Sequence, residues 1–411
     1  MHYITDLHLH SRFSRACSKS LTLPNLEKWC EYKGVDIVGT ADFTHPVWNK
    51  ELHENLEYDG GLYRLKNSKS KVRFLPTTEI SLIYKQGDKT RKNHILVFAP
   101  TLEAVDKITA ELGRRGNIKS DGRPILGIKA PELAEIALSA DPKCLIVPAH
   151  IWTPWFSMFG SKSGCDSIEE CFGPMAQYIY AIEKGLSASM EMNWMVSELD
   201  NRVILADSDA HSLEKLGREA NVFDLNTPSY DAIYDLIRNH RIEKMPYSIN
   251  FFPEEGKYHL DGHVACGVRL FPKETFKYKG LCPKCQKPVT KGVLSRVYEL
   301  ADREEGQKPA AWTQPKSIVP LMEIISQALG KGISSKAVVN EYFSIIKHAG
   351  EFKLLLDWTA QDLLRITSPK IAEGIIRVRE GKIQVVGGYD GVFGTVKIWG
   401  ESDKIGQSRL I

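Results

Sequence analysis

The stretch MHYITDLHLH, residues 1–10, alternates apolar and polar side chains and ends in two histidines. Alternation of this kind predicts a β-strand. Side chains on a strand point to opposite faces with a period of two, so His8 and His10 are expected on the same face. Two imidazoles on one face can chelate a metal ion. Two polar residues on a solvated strand are the alternative interpretation.

Six further apolar runs with strand character follow in the first part of the chain. They are DIVGTAD, RFLPTTEI, HILVFAP, CLIVPAH, YIYAIE and RVILADSDAH. Helical periodicity lies between several of them. Strands that alternate with helices predict an α/β domain with a mostly parallel sheet.

Nearly every run ends in a residue of a metal-binding type, namely His8, His10, Asp42, Glu79, His150, Glu183, Asp209 and His211. Active sites of α/β barrels are built at the C-terminal ends of several strands, and this pattern favours a barrel. An open doubly wound sheet would show a glycine-rich turn after its first strand, and none is present. His94 lies at the start of its apolar run and not at the end, but a hairpin turn at KQGDKTRK would place it close to Glu79.

The ligand types in this set suit a centre of more than one ion. His94, His150, Asp209 and His211 add three imidazoles and one carboxylate to the first pair, and Glu79 could bridge two ions. Imidazole and carboxylate together suit zinc, manganese or iron. Two neighbouring ions can clamp the attacking and leaving oxygens of a phosphoryl displacement. The sequence therefore predicts a metal-dependent phosphoesterase.

Five segments, DLHLHSRFS, GTAD, TTEI, PAH and SDAH, occur in an order that resembles the polymerase-and-histidinol-phosphatase (PHP) superfamily. The resemblance implies a distorted seven-stranded α/β barrel that binds two or three divalent ions (Zn, Mn or Mg). It implies one ion at His8, His10, Glu79 and Asp209, and a second at Glu79, His94 and His150. His211 would belong to a third site. The chain has Asp42-Phe43 where the superfamily usually has Asp-His.

Paired cysteines mark a second candidate metal site. Cys282 and Cys285 form a CxxC knuckle, and His263 and Cys266 form an HxxC pair upstream. Two close pairs separated by a loop match a tetrahedral structural zinc site. His259 is the alternative fourth ligand. A redox-active CxxC is the alternative function, although it would normally open a helix after a strand.

Three domains are predicted: a barrel over residues 1–250, a zinc-binding module over 251–308, and a helical C-terminal domain with a glycine-rich hairpin over 309–411. Segments from all three, including GTADFTHP, DGHVACGV, CPKCQKPVTKGV and GGYDGVFG, resemble the endonuclease Q family of the PHP superfamily. The resemblance implies cleavage of DNA on the 5′ side of deaminated bases (hypoxanthine, uracil, xanthine) and abasic sites. A metal-bound hydroxide would attack the phosphodiester and leave a 3′-hydroxyl.

The segment after His150 is rich in aromatic residues and should begin beside the metals. Trp152, Trp155 and Phe156 could stack on a base or wedge into a duplex. A hydrophobic plug over the barrel mouth is the alternative interpretation.

Other candidate substrate contacts lie further along the chain. Asp209 and His150 are expected to hold the catalytic ions, and Arg218 is the candidate to neutralise the phosphate. Tyr389 and Phe393, within GGYDGVFG, could stack on an extruded base. Aromatic residues flanked by glycines also commonly pack a small hairpin, which is the alternative.

The bulk composition excludes few functions. The 411 residues are 43% hydrophobic and 26% charged, with a net charge of +3. No stretch approaches the roughly 20 apolar residues of a membrane span. The first residues lack a signal-peptide pattern, so a cytosolic protein is expected. Residues 407–411, QSRLI, loosely resemble peptides that bind the bacterial sliding clamp, a possible second partner besides DNA.

Two other functions remain open from the sequence. A small-molecule phosphatase could use the same barrel, but the residues after the barrel would then lack an explanation. A non-catalytic nucleic-acid-binding accessory protein would not need a complete set of metal ligands.

Overall fold

The computed structural model describes residues 1–400, and the structural statements below concern these residues. Strands and helices alternate through the first part of the chain, which confirms the predicted α/β class. The clamp-binding peptide predicted at residues 407–411 lies outside the described residues. None of the described helices is long and apolar enough to cross a membrane.

The strands are mostly short, with one pair of ten residues each. The first thirteen are β1 (His2–Asp6), β2 (Ile37–Gly39), β3 (Leu56–Asp59), β4 (Leu62–Leu65), β5 (Arg73–Leu75), β6 (Thr77–Gln86), β7 (Lys89–Phe98), β8 (Ile125–Leu126), β9 (Leu145–Pro148), β10 (Ala181–Glu183), β11 (Val203–Leu205), β12 (Ala220–Asp224) and β13 (Tyr247–Asn250). The later strands are β14 (Asp261–His263), β15 (Val268–Leu270), β16 (Gln314–Ser317), β17 (Gln384–Val386) and β18 (Thr395–Lys397).

Helices connect these strands and dominate the last part of the described chain. The first seven are α1 (Leu23–Lys33), α2 (Pro46–Asn55), α3 (Leu102–Arg115), α4 (Ala130–Ala140), α5 (Ile168–Phe172), α6 (Met190–Trp194) and α7 (Tyr230–Arg238). The others are α8 (Pro272–Lys277), α9 (Val293–Leu300), α10 (Leu321–Leu329), α11 (Lys336–Ile345), α12 (Glu351–Leu356), α13 (Ala360–Leu364) and α14 (Pro369–Arg379).

Backbone pairing divides the strands of the first part among three sheets. The largest has the order β16-β13-β12-β1-β2-β5-β4-β3, the second has the order β8-β6-β7-β9, and β10 pairs with β11. β1 and β2 are parallel, whereas β12 is antiparallel to β1 and β7 is antiparallel to both β6 and β9. The sheets are therefore mixed and not mostly parallel: the hairpin of β6 and β7 is antiparallel, and so are pairs of strands far apart in sequence, such as β1 and β12. Closure of seven strands into one barrel stays a prediction.

Side chains from all three sheets nevertheless meet in one buried cluster. It includes Ile37 of β2, Leu96 of β7, Val147 of β9, Val203 of β11 and Phe223 of β12. Side chains of α7, including Ile233 and Leu236, belong to the same cluster. This core is apolar, and the polar groups that follow the strands lie outside it.

The long hairpin of β6 and β7 is the one that the sequence suggested. A two-residue turn, Gly87-Asp88, joins the strands, and Gly87 adopts the left-handed backbone (φ +57°) that such turns favour. The register pairs Ser81 with His94. The return strand therefore brings His94 close to Glu79.

A buried polar network joins the C-terminal helices to the barrel. The Glu351 carboxylate, at the start of α12, pairs with Lys33 of α1 at 2.8 Å. It also accepts hydrogen bonds from the Tyr342 hydroxyl at 2.8 Å and the Leu321 amide at 2.9 Å. In addition, β16 pairs in parallel with β13 of the barrel. The region after residue 309 thus packs on the first part of the chain, and the predicted domain boundaries stay predictions.

Candidate metal centre and the adjoining cleft

Four side chains from three separated segments form one group of potential metal ligands. His8, His10, Glu79 and Asp209 each offer an atom within 4.8 Å of the others. His10 Nε2 lies 3.3 Å from Glu79 Oε2 and 3.2 Å from Asp209 Oδ1. His8 Nε2 lies 3.6 Å and 3.5 Å from the same two oxygens and has no hydrogen-bond partner in the described chain. This buried, unpartnered nitrogen fits a metal-binding site.

A second group shares Glu79 with the first. His94 Nδ1 lies 2.7 Å from Glu79 Oε1, and His150 Nε2 lies 3.2 Å from that oxygen. The two carboxylate oxygens of Glu79 therefore face different groups, as a bridging ligand requires. This is the arrangement that the PHP resemblance implied, and Glu79 is itself 1% exposed.

The ligand imidazoles are oriented by partners on their other ring nitrogens. His8 Nδ1 lies 2.7 Å from Glu183 Oε1, and His10 Nδ1 lies 3.2 Å from Asp42 Oδ1. Such outer carboxylates fix the tautomer that leaves the inner nitrogen free for a metal. His150 Nδ1 contacts the Ser157 hydroxyl at 3.1 Å in the same manner.

The backbone at the site is held in unusual conformations. Asp42 (φ +41°), His150 (φ +32°) and Asp209 (φ +47°) each follow a strand and lie in the left-handed region. Non-glycine residues in that region carry strain and cluster at functional sites. Gly185 supports this geometry, because a Cβ at that position would lie 2.6 Å from the Cβ of His150.

Opposite charges dominate the electrostatics of the centre. Burial favours the neutral form of every group, yet nearby carboxylates outweigh it and raise the pKa of His8 and His10 well above its ordinary value. Burial likewise opposes ionisation of Glu79 and Asp209, but the surrounding cationic side chains lower the pKa of both carboxyls. Burial lowers the pKa of His94 to about 4, which keeps its imidazole neutral. The carboxylates are therefore ionised and able to attract cations.

Metal binding to this centre should depend on pH. Because His8 and His10 have raised pKa values in the metal-free protein, a metal must displace their protons, so we expect affinity to rise with pH. Affinity for Mn²⁺ should be at least about tenfold higher near pH 8 than near pH 6. Calorimetry in buffers of different ionisation enthalpy would measure both the affinity and the protons released. An affinity independent of pH would contradict the ligand assignment.

Two residues that were expected to bind metal lie outside both groups. Asp42 lies behind His10, where its second oxygen accepts hydrogen bonds from the Ser11 amide and hydroxyl at 2.7 Å each and from the Ser14 hydroxyl at 2.8 Å. With its oxygens so occupied, it orients His10. His211 packs its ring 4.6 Å from that of His10, and its Nδ1 contacts the Asp209 carbonyl. The described residues form no third ligand group in the barrel.

The structure gives Arg218 and Trp152 structural roles. The Arg218 guanidinium donates to the backbone carbonyls of Ser208 at 2.8 Å and Asp209 at 3.3 Å, so it braces the segment that carries a metal ligand. Trp152 is 1% exposed and donates from its indole to Asn193 at 2.8 Å. Neither side chain is among the residues that line the adjoining cleft, and their predicted substrate contacts stay predictions.

A cleft of about 340 Å³ opens directly beside the metal centre. The residues that line it include His150 and Asp209 of the centre together with Trp155, Tyr258 and Phe393. The Trp155 and Tyr258 rings pack edge-to-face with centroids 5.6 Å apart. Two of the expected substrate contacts, Trp155 and Phe393, therefore reach the cleft from segments far apart in sequence.

The remaining two aromatic candidates lie elsewhere. Phe156 packs against the ring of His94, with centroids 4.9 Å apart, and covers that ligand. Tyr389 packs against β14, where a Cβ on Gly262 would lie 2.2 Å from its ring. Tyr389 therefore supports the glycine-rich hairpin, as the alternative interpretation proposed. Sequence analysis missed Tyr258, which belongs to no motif.

The four expected zinc ligands also come together. His263, Cys266, Cys282 and Cys285 offer atoms within 4.8 Å of one another. His259 is not in this group, because its Nδ1 contacts the Ser187 carbonyl at 3.0 Å. The four residues satisfy the ligand chemistry and number of a structural zinc site.

Comparison with known proteins links the whole chain to solved structures. The lesion-specific endonuclease PfuEndoQ from Pyrococcus furiosus is 32% identical, with a TM-score of 0.85 over 97% of this chain and 95% of that chain. An endonuclease Q structure, in complex with a 27-mer duplex substrate with an abasic lesion at the active site, is 32% identical with a TM-score of 0.86. That similarity covers 98% of both chains.

Sequence comparisons cover the chain as well. The protein YqxK of Bacillus subtilis (strain 168) is 30% identical over 95% of this chain and 98% of its own length. Two family models match parts of the chain: "PHP-associated" at residues 201–242 and "MJ0043 C-terminal domain" at residues 320–382. The match to YqxK therefore extends over nearly the whole of both sequences.

Proposed function

The chain belongs to the endonuclease Q family, and on this premise we propose that it cuts DNA on the 5′ side of deaminated bases and abasic sites. The bases are hypoxanthine, uracil and xanthine. Membership makes the chain an endonuclease, a hydrolase of phosphodiester bonds. The lesion, the position of the cut and the residue roles are the proposed part.

The cleft beside the metal centre is the observation that carries this proposal. Its volume of about 340 Å³ lies within the roughly 300–1,000 Å³ typical of ligand pockets, which leaves room for an extruded nucleoside. A base placed between Trp155 and Phe393 would put its sugar and phosphate near Asp209 and His150. Enzymes that act on a single nucleotide of a duplex commonly extrude it into such a pocket.

Each group of the centre has a distinct part in the proposed hydrolysis. Two divalent ions, when bound, lower the pKa of water and offset charge on the phosphate. Glu79 bridges the two ligand groups, and the histidines complete them. Glu183 and Asp42 hold the His8 and His10 rings in the tautomers that leave the inner nitrogens free.

Lesion choice follows from the cost of extrusion and from stacking in the cleft. Extruding a nucleotide costs roughly a few kcal/mol, and the cost is least where base pairing is already weakened. Stacking on aromatic side chains returns about 1–3 kcal/mol per base. Lys257 lies over the rings of both Tyr258 and Phe393, at 5.6 Å from each centroid, and adds a positive charge at the cleft.

The zinc module supplies a surface suited to the duplex around the lesion. Phe276 on α8 is 87% exposed, and Lys273, Lys277 and Lys279 are exposed around it. Between residues 269 and 291, Glu274 is the one acidic residue. Clustered cations bind the phosphate backbone irrespective of sequence. We assign this face to the DNA flanking the cut.

A panel of duplexes that share the same sequence and differ only in the lesion tests the proposed endonuclease function. The duplexes carry uracil, hypoxanthine, xanthine, an abasic site or no lesion, and are incubated with the protein and Mn²⁺ or Mg²⁺. We expect one product per lesion, cut on the 5′ side and ending in a 3′-hydroxyl, and no cut in the undamaged duplex. Hydrolysis restricted to small phosphate esters would establish a phosphatase, and binding without any cut would establish an accessory protein.

The same panel tests the cleft. Trp155→Ala and Phe393→Ala should each lower cleavage at uracil by about tenfold, the equivalent of about 1.4 kcal/mol of lost stacking. Cleavage at the abasic site, which has no base to stack, should change less. Tyr58→Ala is the matched control, since Tyr58 is 62% exposed and is not among the cleft residues. Equal losses on both substrates would remove base stacking from the proposal.

A further inference from the structure

We propose that Arg123 binds the scissile phosphate and is the catalytic cation of the centre, an inference that rests on the proposed function. Arg123 lies in the segment between α3 and β8, outside every sequence motif. Its Nη1 donates to Glu79 Oε2 at 3.0 Å, and its side chain is 24% exposed. The guanidinium therefore touches the carboxylate that joins the two ligand groups while remaining open to solvent.

The guanidinium of Arg123 has unused hydrogen-bond donors. An arginine presents five N–H donors, and in the described part of the chain only Glu79 accepts from the guanidinium of Arg123. A phosphate offers the planar fork of an arginine two oxygens at once, which gives a bidentate contact. The unused donors lie next to the place where the ligand groups would bring a phosphate.

Charge gives the reason that Arg123 faces this centre. The negative charges around its guanidinium are those of Glu79, which it contacts, and of Asp209 and Asp42. Glu79 and Asp209 are the two of these carboxylates that belong to the ligand groups and that divalent ions would offset. In the loaded centre the guanidinium then requires another anion, and the substrate phosphodiester is the anion that the same ions attract.

The backbone holds the segment of Arg123 in place. The Arg123 amide donates to Asp121 Oδ1 at 3.1 Å, and Asp121 also pairs with Arg15 at 3.3 Å. A Cβ on Gly122 would lie 2.3 Å from Asp42 Oδ2, so this segment packs directly against the carboxylate that orients His10. Arg123 is thus positioned by the same network as the metal ligands.

Two other cations near the centre, Arg218 and Lys184, donate to protein acceptors. Arg218 donates to the carbonyls of Ser208 and Asp209. Lys184 is 1% exposed, pairs with Glu219, and donates to backbone carbonyls. Arg218 thus uses two of its five donors on the backbone, and its predicted phosphate contact stays a prediction beside the one that we propose for Arg123.

The product of the cut provides a ligand that cannot be cleaved again. A nicked duplex with an abasic-site analogue is prepared with either a 5′-phosphate or a 5′-hydroxyl at the nick, and binding of each is measured by fluorescence anisotropy with Mn²⁺. We expect the wild type to bind the 5′-phosphate form at least about tenfold more tightly, and Arg123→Gln to lose that preference. Arg123→Lys should retain part of it, because the charge remains without the fork.

Activity and a control variant complete the test. Arg123→Gln should lower kcat by about 10²–10³-fold with unchanged zinc content and unfolding temperature. Arg15→Gln, at a side chain that is 77% exposed and pairs with the same segment, should keep the phosphate preference. A preference retained in Arg123→Gln, or absent from the wild type, would overturn the proposal. Failure of the wild type to cut any lesion duplex would instead overturn the proposed function, and the substrate panel would show it first.

Discussion

Asp209→Asn is expected to reduce cleavage of lesion-containing DNA by about 10³-fold or more, equivalent to about 4 kcal/mol of transition-state stabilisation. Asp209 Oδ1 lies 3.5 Å from His8 Nε2 and 3.2 Å from His10 Nε2. Asparagine keeps the shape of the side chain but removes the negative charge that an ion needs. Duplex affinity should change by less than about threefold, because the aromatic and basic surfaces are unaltered.

Single-turnover cleavage measures the first effect, and anisotropy with the uncut duplex measures the second. His150→Ala should behave similarly, since it removes a ligand from the group that shares Glu79. Asp231→Asn is the matched control, because Asp231 is 72% exposed and pairs with Lys143 on the surface. Wild-type turnover in Asp209→Asn would show that the catalytic ions are bound elsewhere.

Cys282→Ser is expected to release one zinc ion per chain and to unfold the segment around residues 255–300. Structural zinc contributes about 10–16 kcal/mol to folding in small modules. The core of this module is small, with Val268, Leu270, Cys282 and Val289 as its buried residues. Such a core cannot offset the conformational entropy of the segment without the metal.

Native mass spectrometry would count the zinc, and hydrogen exchange would locate the loss of protection. Cys144→Ala is the control, because Cys144 is buried in the barrel and belongs to none of the described ligand groups. A zinc content unchanged by Cys282→Ser would show that this site is not metallated. Selective cleavage of lesion-containing DNA should decrease when the module unfolds, because His259 of the module contacts Ser187, which lines the cleft.

Patterns of short range were sufficient to predict much of the centre. Alternation along the first strand predicts that His8 and His10 share a face, and both enter one ligand group in the structure. A turn between Glu79 and His94 predicts their proximity, and β6 and β7 form that hairpin. The four ligands of the zinc module could be predicted as one site, because they form two close pairs that are separated by a loop.

Contacts with residues distant in sequence decide which members of these patterns do not bind metal or line the cleft. Asp42 follows a strand as the ligands do, yet Ser11 and Ser14 occupy its oxygens and direct it to His10. Trp152 and Trp155 are three residues apart, but only Trp155 reaches the cleft. A sequence pattern gives residue type and spacing, whereas the choice between ligand and support depends on which atoms meet.

The sequence by itself determined the α/β class, the residue types of two metal sites and the family, because these depend on local periodicity and motif order. Only the tertiary structure decided the cleft and the position of Arg123. The cleft joins Trp155, Tyr258 and Phe393, which are far apart along the chain. Arg123 is separated from Glu79 by 44 positions and belongs to no repeat or motif. Their proximity follows from packing of the whole chain, in which strand ends and later segments converge on one rim.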